Sequence, residues 1–419
     1  MDNSSHDLVK PLPHSVKLLE EIADTYGTPV FIYDETGIRK NARQIIDAFS
    51  WSPNYTNFFA VKATPTPAIL RVIHDEKMGF DCSSRGELEM VASEKLTSNG
   101  VFFTSNNTPD ASYIRANEIG ATINIDKAQY IEQLKSALGK LPNRMAIRFN
   151  PGKEKSGNAI IGNPFESKFG DTKDRVIDAL NQMKTWGVEQ IGIHAMVSSN
   201  EKNPEYFGDT ARLLKELAAL AKTKHNIDIS FINIGGGMGV NYQVDEVPVD
   251  VKGIGEAVRE QLEELGIQIL TENGRYVTGP HGILLTRVTH GIIETHEPFV
   301  QVDTSINNMR RLETVTAAYH HINVLGRDED EKRKMHITGS MCANTDKMFK
   351  WHDLPATIQP GDLMVIHDTG AHSRANAHNY NFLLRAGEVL VNSDGTHQLI
   401  RRHETIEDIF ATTISRFLY

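Results

Sequence analysis

Hydrophobic positions along this chain fall into two textures. Between about residues 56 and 271, short apolar runs alternate with longer stretches whose apolar residues recur every three or four positions. The short runs read as strands buried on both faces and the longer ones as amphipathic helices. The predicted strands are 58–61, 79–82, 101–104, 122–125, 145–149, 191–196, 231–234 and 268–271, with helical patterns such as 85–93, 127–137, 174–184 and 206–223 between them. An open doubly wound sheet has the same alternation. The count of eight, with polar residues at so many strand exits, favours a closed (β/α)8 barrel.

Upstream lie a helix over 15–26, striped by Val16, Leu18, Leu19, Ile22 and Ala23, a strand over 28–34 and a helix over 36–49. After about Leu284 the texture changes. Strand-like segments at 288–294, 299–303, 317–325, 335–337, 363–367, 382–385, 388–391 and 398–401 follow one another without long helices. That pattern predicts a second, all-β domain, a sandwich or Greek-key barrel, which the early strand over 30–33 joins. The expected division is a barrel over 35–287 and an all-β domain from 1–34 plus 288–419.

Composition narrows the function. At 419 residues, with 40% hydrophobic and 23% charged residues, the chain has the make-up of an ordinary globular protein large enough for two domains. A formal charge of −10 argues against nucleic acid as a partner. The basic triplet Lys332-Arg333-Lys334 adjoins an acidic stretch and reads as a solvated loop. The start of the chain lacks the features of a signal peptide, and no apolar run approaches a membrane span. Two cysteines, Cys82 and Cys342, make no disulfide framework. A cytoplasmic protein without a metal is expected.

Candidate chemistry begins at Lys62, where the apolar run Phe58-Phe59-Ala60-Val61 ends. A lysine at the exit of a buried strand either snorkels to solvent or serves as a Schiff-base amine, which loses its proton easily in a partly apolar site. Downstream, Ile234 runs into Gly235, Gly236 and Gly237, a tight turn or a set of backbone N–H groups closing on an anion. Arg148, on a buried strand, requires a partner for its charge. Ser84 reads as a helix cap, His194 as a structural histidine and Cys342 as a small buried hydrophobe.

These segments acquire a second reading together. Phe59-Ala60-Val61-Lys62-Ala63 resembles the lysine segment, Y/F-A-V-K-A/C, of the fold type III decarboxylases that use pyridoxal phosphate (PLP), a group including ornithine, arginine and diaminopimelate decarboxylases. Further matches follow in the family's order: Gly79-Phe80-Asp81-Cys82-Ser83-Ser84-Arg85-Gly86-Glu87-Leu88, Arg148-Phe149-Asn150-Pro151, Ser167-Lys168-Phe169-Gly170, Gly192-Ile193-His194, the glycine run, and Glu272-Asn273-Gly274-Arg275. In the β region, Cys342 resembles the cysteine of a C-E-S/T-x-D loop, and Asp368-Thr369-Gly370-Ala371-His372 with Tyr380 resembles G-A-Y…Y-N. The resemblance spans roughly residues 28 to 390.

It implies that Lys62 carries PLP covalently and that Asp81, Ser84 and Arg148 lie near it. His194 or Met196 would pack on its ring, with Ser199 and Gly235–Gly237 at its phosphate. Glu272 would face its pyridine nitrogen, while Gly274 and Arg275 border the phosphate or a substrate carboxylate. Cys342 would act across a homodimer interface to return a proton after CO2 leaves, so the active sites are shared. His372 and Tyr380 would complete the cofactor site, and Arg310 and Arg311 would hold a distal substrate carboxylate. Departures from the pattern are Met196 for a second His, Ser198 for Gly, Asn273 for Pro, Ala343 for the acid after the cysteine, His372 for Tyr, and the missing Pro and Tyr after Arg310-Arg311. The expected activity is decarboxylation of an amino acid, nearest to diaminopimelate decarboxylase. The alternatives are another amino-acid substrate within the same chemistry, or a non-catalytic binding protein of this fold.

Overall fold

The computed structural model describes residues 10–157, 162–309, 319–327 and 329–414. The chain divides into two units. One comprises Ile38–Val240 with Pro248–Val277, and the other Met1–Gly37, Asn241–Val247 and Thr278–Tyr419.

Eight parallel strands close the first unit into a barrel in chain order. With β1 at Val30–Asp34 in the other unit, they are β2 (Thr56–Ala60), β3 (Gly79–Cys82), β4 (Val101–Ser105), β5 (Thr122–Ile125), β6 (Arg144–Arg148), β7 (Gln190–His194), β8 (Phe231–Asn233) and β9 (Gln268–Thr271). Phe58, Phe102, Ala146 and Phe231, from the alternate strands β2, β4, β6 and β8, meet with Leu270 in one buried interior cluster, the layered filling expected of such barrels. Gly192 on β7 makes room for it, since a Cβ there would stand 2.2 Å from the Phe231 ring.

The intervening helices carry readable stops. Asn203 caps Pro204–His225 by accepting from Glu205 N–H, proline occupies the first turn, and Asn226 ends the helix in the left-handed region at φ 51°. Strand β2 stops one residue earlier than predicted. Val61–Ala63 form a 3-10 turn before Pro67 opens the helix Pro67–Asp75, so Lys62 stands on a turn past the strand.

The second unit holds a nine-stranded sheet. Its remaining strands are β10 (Gly282–Ile293), β11 (Phe299–Val302), β12 (Ile322–Val324), β13 (Lys332–Thr338), β14 (Lys347–Pro355), β15 (Leu363–Ile366), β16 (Gly387–Val391) and β17 (His397–Arg401). The main path runs β14-β13-β11-β10-β1-β16-β17, with β15 joining β10 to β12. β1 pairs antiparallel with β10 and parallel with β16, so the early strand belongs here as expected. The helix Val16–Tyr26 lays Leu19, Ile22 and Ala23 onto Val30, Ile32, Ile283, Leu285, Val365 and Val389.

In this unit one expected strand is absent and one strand is unforeseen. Residues 382–385 form no strand, because Asn381 and Phe382 take φ of 56° and 55°, left-handed backbone that cannot extend. β14 escaped notice because its period is broken at Trp351, also left-handed at φ 56°, and by register shifts against β13.

Candidate active site

The C-terminal ends of the barrel strands bring a set of ionisable side chains together. The Lys62 amine lies 3.0 Å from Asp81 Oδ2. Asp81, the penultimate residue of β3, is 2% exposed, whereas the Lys62 side chain is 48% exposed. Glu87 sits one turn into the next helix, where its carboxylate accepts from Ser83 N–H at 2.6 Å. Burial pushes the Lys62 amine down, but the carboxylates of Asp81, Glu272 and Glu87 outweigh it, and the net direction is upward. Three carboxylates facing the amine thus favour its charged form. Burial pushes the Asp81 carboxyl up to about 7 despite Lys62. The two groups titrate as a pair, with a proton held on the amine side.

Across the mouth, Glu272 follows β9 at 7% exposure. Asn233 Nδ2 donates to its Oε1 at 2.8 Å, and His194 Nε2 faces its Oε2 at 3.3 Å without hydrogen-bond alignment. The other ring nitrogen of His194 meets Asn124 Nδ2 at 2.9 Å. Burial pushes the Glu272 carboxyl up, but His194, Lys62 and Arg148 together bring it below the usual carboxylate range. His194, 1% exposed, is thus held beneath the mouth. Met196 is the partly exposed one, and its sulfur accepts from Gly236 N–H at 3.2 Å.

The glycine run lines the β8 exit. A Cβ at Gly235 would meet Ala195 O at 2.4 Å, at Gly236 the Glu272 carbonyl at 2.3 Å, and at Gly237 the Ser198 hydroxyl at 2.2 Å. Gly235 and Gly237 also take positive φ, 72° and 104°. Only glycine fits here, and the result is a tightly packed turn in which Gly235 N–H donates to Asn233 Oδ1 at 2.9 Å. Gly274 serves close packing instead, since a Cβ would lie 2.8 Å from that of Ala63, beside Lys62. Arg275 opens the short helix Arg275–Thr278 at 7% exposure.

Ser84 caps the helix Arg85–Ser93 through Glu87 N–H, as its bland reading held, and Ser199 is partly buried after β7. Asn273, where the family pattern has proline, uses the N–H that proline lacks. It donates to Asn57 Oδ1 at 2.9 Å, while its own Oδ1 accepts from Met238 N–H at 3.1 Å. Cys342, His372 and Tyr380 belong to the second unit. Cys342 is exposed and its N–H donates to Asn381 Oδ1 at 2.9 Å. His372 adopts φ 64°. Arg310 and Arg311 lie outside the described residues.

Asn57, Asn233 and Glu87 were missed. Glu87 carried a signal, the Ser-x-x-Glu spacing from Ser84, which marks a helix start. Asn57 and Asn233 sit inside apolar runs, where one polar residue leaves no periodic trace.

A barrel mouth of this kind, with one lysine among carboxylates opposite a glycine turn, is the site of an enzyme that binds a phosphorylated aldehyde cofactor. The family model for the pyridoxal-binding domain of pyridoxal-dependent decarboxylases matches residues 35–279. Protein TabA of Pseudomonas amygdali pv. tabaci is 34% identical over 397 residues, 93% of this chain and 92% of that protein. The diaminopimelate decarboxylase of Methanothermobacter thermautotrophicus is 32% identical over 400 residues, again 93% and 92%. A crystal structure of diaminopimelate decarboxylase from M. jannaschi shares the fold at a TM-score of 0.86 and 27% identity, covering 95% of this chain and 94% of that one.

The chain belongs to the pyridoxal-dependent decarboxylases. It is a PLP-dependent carboxy-lyase of an amino acid, similar to diaminopimelate decarboxylases. The residues fit the cofactor: Asp81 Oδ1, Asn124 Oδ1 and His194 Nε2 are buried without hydrogen-bond partners. Among the described residues, no helix is long and apolar enough to cross a membrane.

Proposed function

We propose that this chain decarboxylates a diaminopimelate-related amino acid, with Lys62 as the cofactor-bearing amine. The observation that carries this reading is the Lys62–Asp81 pair set opposite the buried Glu272. When bound, PLP supplies an electron sink for the pair left behind as CO2 departs. Glu272, kept ionised by His194, Lys62 and Arg148, holds a proton on the pyridine nitrogen. Gly235, Gly236, Gly237 and Ser199 receive the phosphate, with Arg275 beside it or at the substrate carboxylate. Met196 supplies a polarizable face for the ring. Asp81 keeps the Lys62 amine placed while the substrate amine exchanges with it. Borohydride reduction followed by peptide mapping should find the pyridoxyl group on Lys62; finding it on Lys168 or another lysine would refute the assignment.

The division of labour follows the two units, with the cofactor held by the barrel unit of Ile38–Val240 and Pro248–Val277. Cys342 Sγ returns the proton to the substrate carbon in a partner subunit's site, with His372 and Tyr380 completing the cofactor pocket. Supporting a homodimer, Tyr380 and Phe382 are each 59% exposed beside the Cys342 loop, and Phe382 packs on the exposed Phe410 at 5.9 Å. An apolar cluster of that kind is what a second copy would cover. Mixed dimers of Lys62→Ala and Cys342→Ala chains should regain activity, because one site then carries neither lesion. The cytoplasm is the proposed compartment, given two free cysteines.

Substrate choice departs from meso-diaminopimelate itself. Ala343 stands where relatives carry an acid near the distal amine, and Arg310 and Arg311 are the cations proposed for a distal carboxylate. A site missing a polar partner discriminates by orders of magnitude. The expected result is a lower kcat/KM on meso-diaminopimelate than on an acid-bearing analogue without the same distal ammonium. Efficient turnover of meso-diaminopimelate, with Arg310→Ala and Arg311→Ala harmless, would refute this pocket and leave the decarboxylase reading intact.

A further inference from the structure

Asp126 lies just beyond β5 and is wholly buried. Its Oδ1 accepts from Gly170 N–H at 3.1 Å and faces Arg148 Nη1 at 3.6 Å. Its Oδ2 has no hydrogen-bond partner, and the Lys127 ammonium stays 3.9 Å away. Burying a carboxylate with one oxygen unsatisfied is costly. If the side chain served only to pin the returning Ser167-Lys168-Phe169-Gly170 loop, an asparagine would accept from Gly170 equally well, without the charge. The charge therefore has a separate use, and among the described residues the buried cation it faces is Arg148.

Arg148 is restrained on three sides. Besides Asp126, its Nη2 donates to Met196 O at 3.0 Å, and its guanidinium lies 4.7 Å from the Phe169 ring centre. Glu272, like Asp81, is a buried carboxylate whose charge Arg148 feels, yet no ion pair joins Arg148 to Glu272 among the described residues. Glu272 keeps Asn233 on one oxygen and His194 opposite the other. A free guanidinium in this mouth would take a bidentate grip on Glu272, the geometry it prefers.

We propose that Asp126, with Phe169, is a positioning residue that holds Arg148 back from Glu272. Arg148 then tunes Glu272 from a distance and leaves its carboxylate open toward the cofactor. The unexplained S-K-F-G motif acquires a role, since Gly170, at φ 72°, and Phe169 build the cage around the guanidinium. This inference rests on the reading that Glu272 serves the cofactor.

The test is the equilibrium affinity of the full chain for added PLP, followed by absorbance, in a double-mutant cycle. Asp126→Asn should weaken PLP binding about tenfold on the wild-type background and by less than about twofold on an Arg148→Gln background, because the released cation is then absent. Where Asp126→Asn fails to fold, Phe169→Leu should show the same dependence on Arg148 with a smaller loss. Equal losses on both backgrounds, or no loss from either single variant, would overturn the proposal. A purely structural ion pair would couple the two substitutions in urea denaturation of the cofactor-free protein as strongly as in PLP affinity, and that result too would overturn the proposal. Failure of the underlying reading is separately visible, since Glu272→Gln would then bind PLP like the wild type.

Discussion

The Lys62 amine and the Asp81 carboxylate meet at 3.0 Å although one side chain is half-exposed and the other sealed. Lysine sits on a 3-10 turn at the end of β2, and aspartate on the neighbouring strand, where Ala60 and Asp81 are register partners. Strand pairing thus delivers the carboxylate to the amine without any loop having to close.

Of the carboxylates raising the Lys62 amine, Asp81 acts most strongly, ahead of Glu272 and Glu87. Asp81→Asn should lower the apparent pKa of Lys62, because it removes the facing charge. The measurement is the pH dependence of Lys62 acylation in cofactor-free protein, read by peptide mass spectrometry. An unchanged midpoint would mean that burial or Glu272 alone governs the amine.

The glycine turn yields a steric prediction. In Gly236→Ala the new Cβ would press on the backbone carbonyl of Glu272 at 2.3 Å, and backbone cannot step aside as a flexible side chain does. The β9 exit must shift, so PLP affinity should fall at least about tenfold, on the logic that misplacing site groups by an ångström costs heavily. Gly86→Ala is the control. It lies in the helix Arg85–Ser93 with Ser84 Oγ no nearer than 3.8 Å, and should stabilise the fold by about 0.5–1 kcal/mol. Wild-type affinity in Gly236→Ala would remove the cradle from the account.

What the sequence disclosed follows from what has a period. The eight barrel strands were legible because each is a short apolar run followed by a helix, and the helix Arg85–Ser93 was placed to the residue because Ser84 caps it. Strand ends were misplaced by a residue or two where an apolar side chain continues past the last ladder bond, as Val61 does. β14 and the turn at Tyr380–Phe382 were misread because left-handed residues such as Trp351 and Asn381 interrupt the chain without a glycine to announce it. At the site, motif residues stood out, while Asn57 and Asn233 did not, since their hydrogen bonds reach partners 216 and 39 residues away. Nor did charge balance show: that Lys62 is held protonated depends on three carboxylates from separate elements.

The second unit carries a pH dependence whose sign can be worked out. His367 is 3% exposed, with Nε2 donating to Asn323 Oδ1 at 2.5 Å, and burial, aided by Lys10 and neighbouring histidines, pushes it down to about 3. His321 accepts from Lys10 N–H at 3.1 Å and is pushed down to about 4, again mainly by burial. Asp368, paired with the Lys10 ammonium at 2.5 Å, is pushed up by burial to about 6. Each histidine, neutral when folded, contributes stability present above about pH 6.5 and lost as pH falls toward its folded value. Asp368 works oppositely: its contribution is present below about pH 4 and lost as pH rises through about 6. Between pH 6 and 4 the unfolded chain therefore gains two protons from the histidines against one that the folded chain gains at Asp368. The net is one proton, a loss near 1.4 kcal/mol per pH unit on acidification at most. His367→Gln keeps an N–H donor for Asn323 and removes one titrating group, so the remaining two nearly cancel. Urea denaturation at pH 4.5, 5.5 and 6.5 should show the wild type losing stability faster than His367→Gln as pH falls. Parallel curves for the two proteins would mean that His367 is charged in the fold, contrary to its burial.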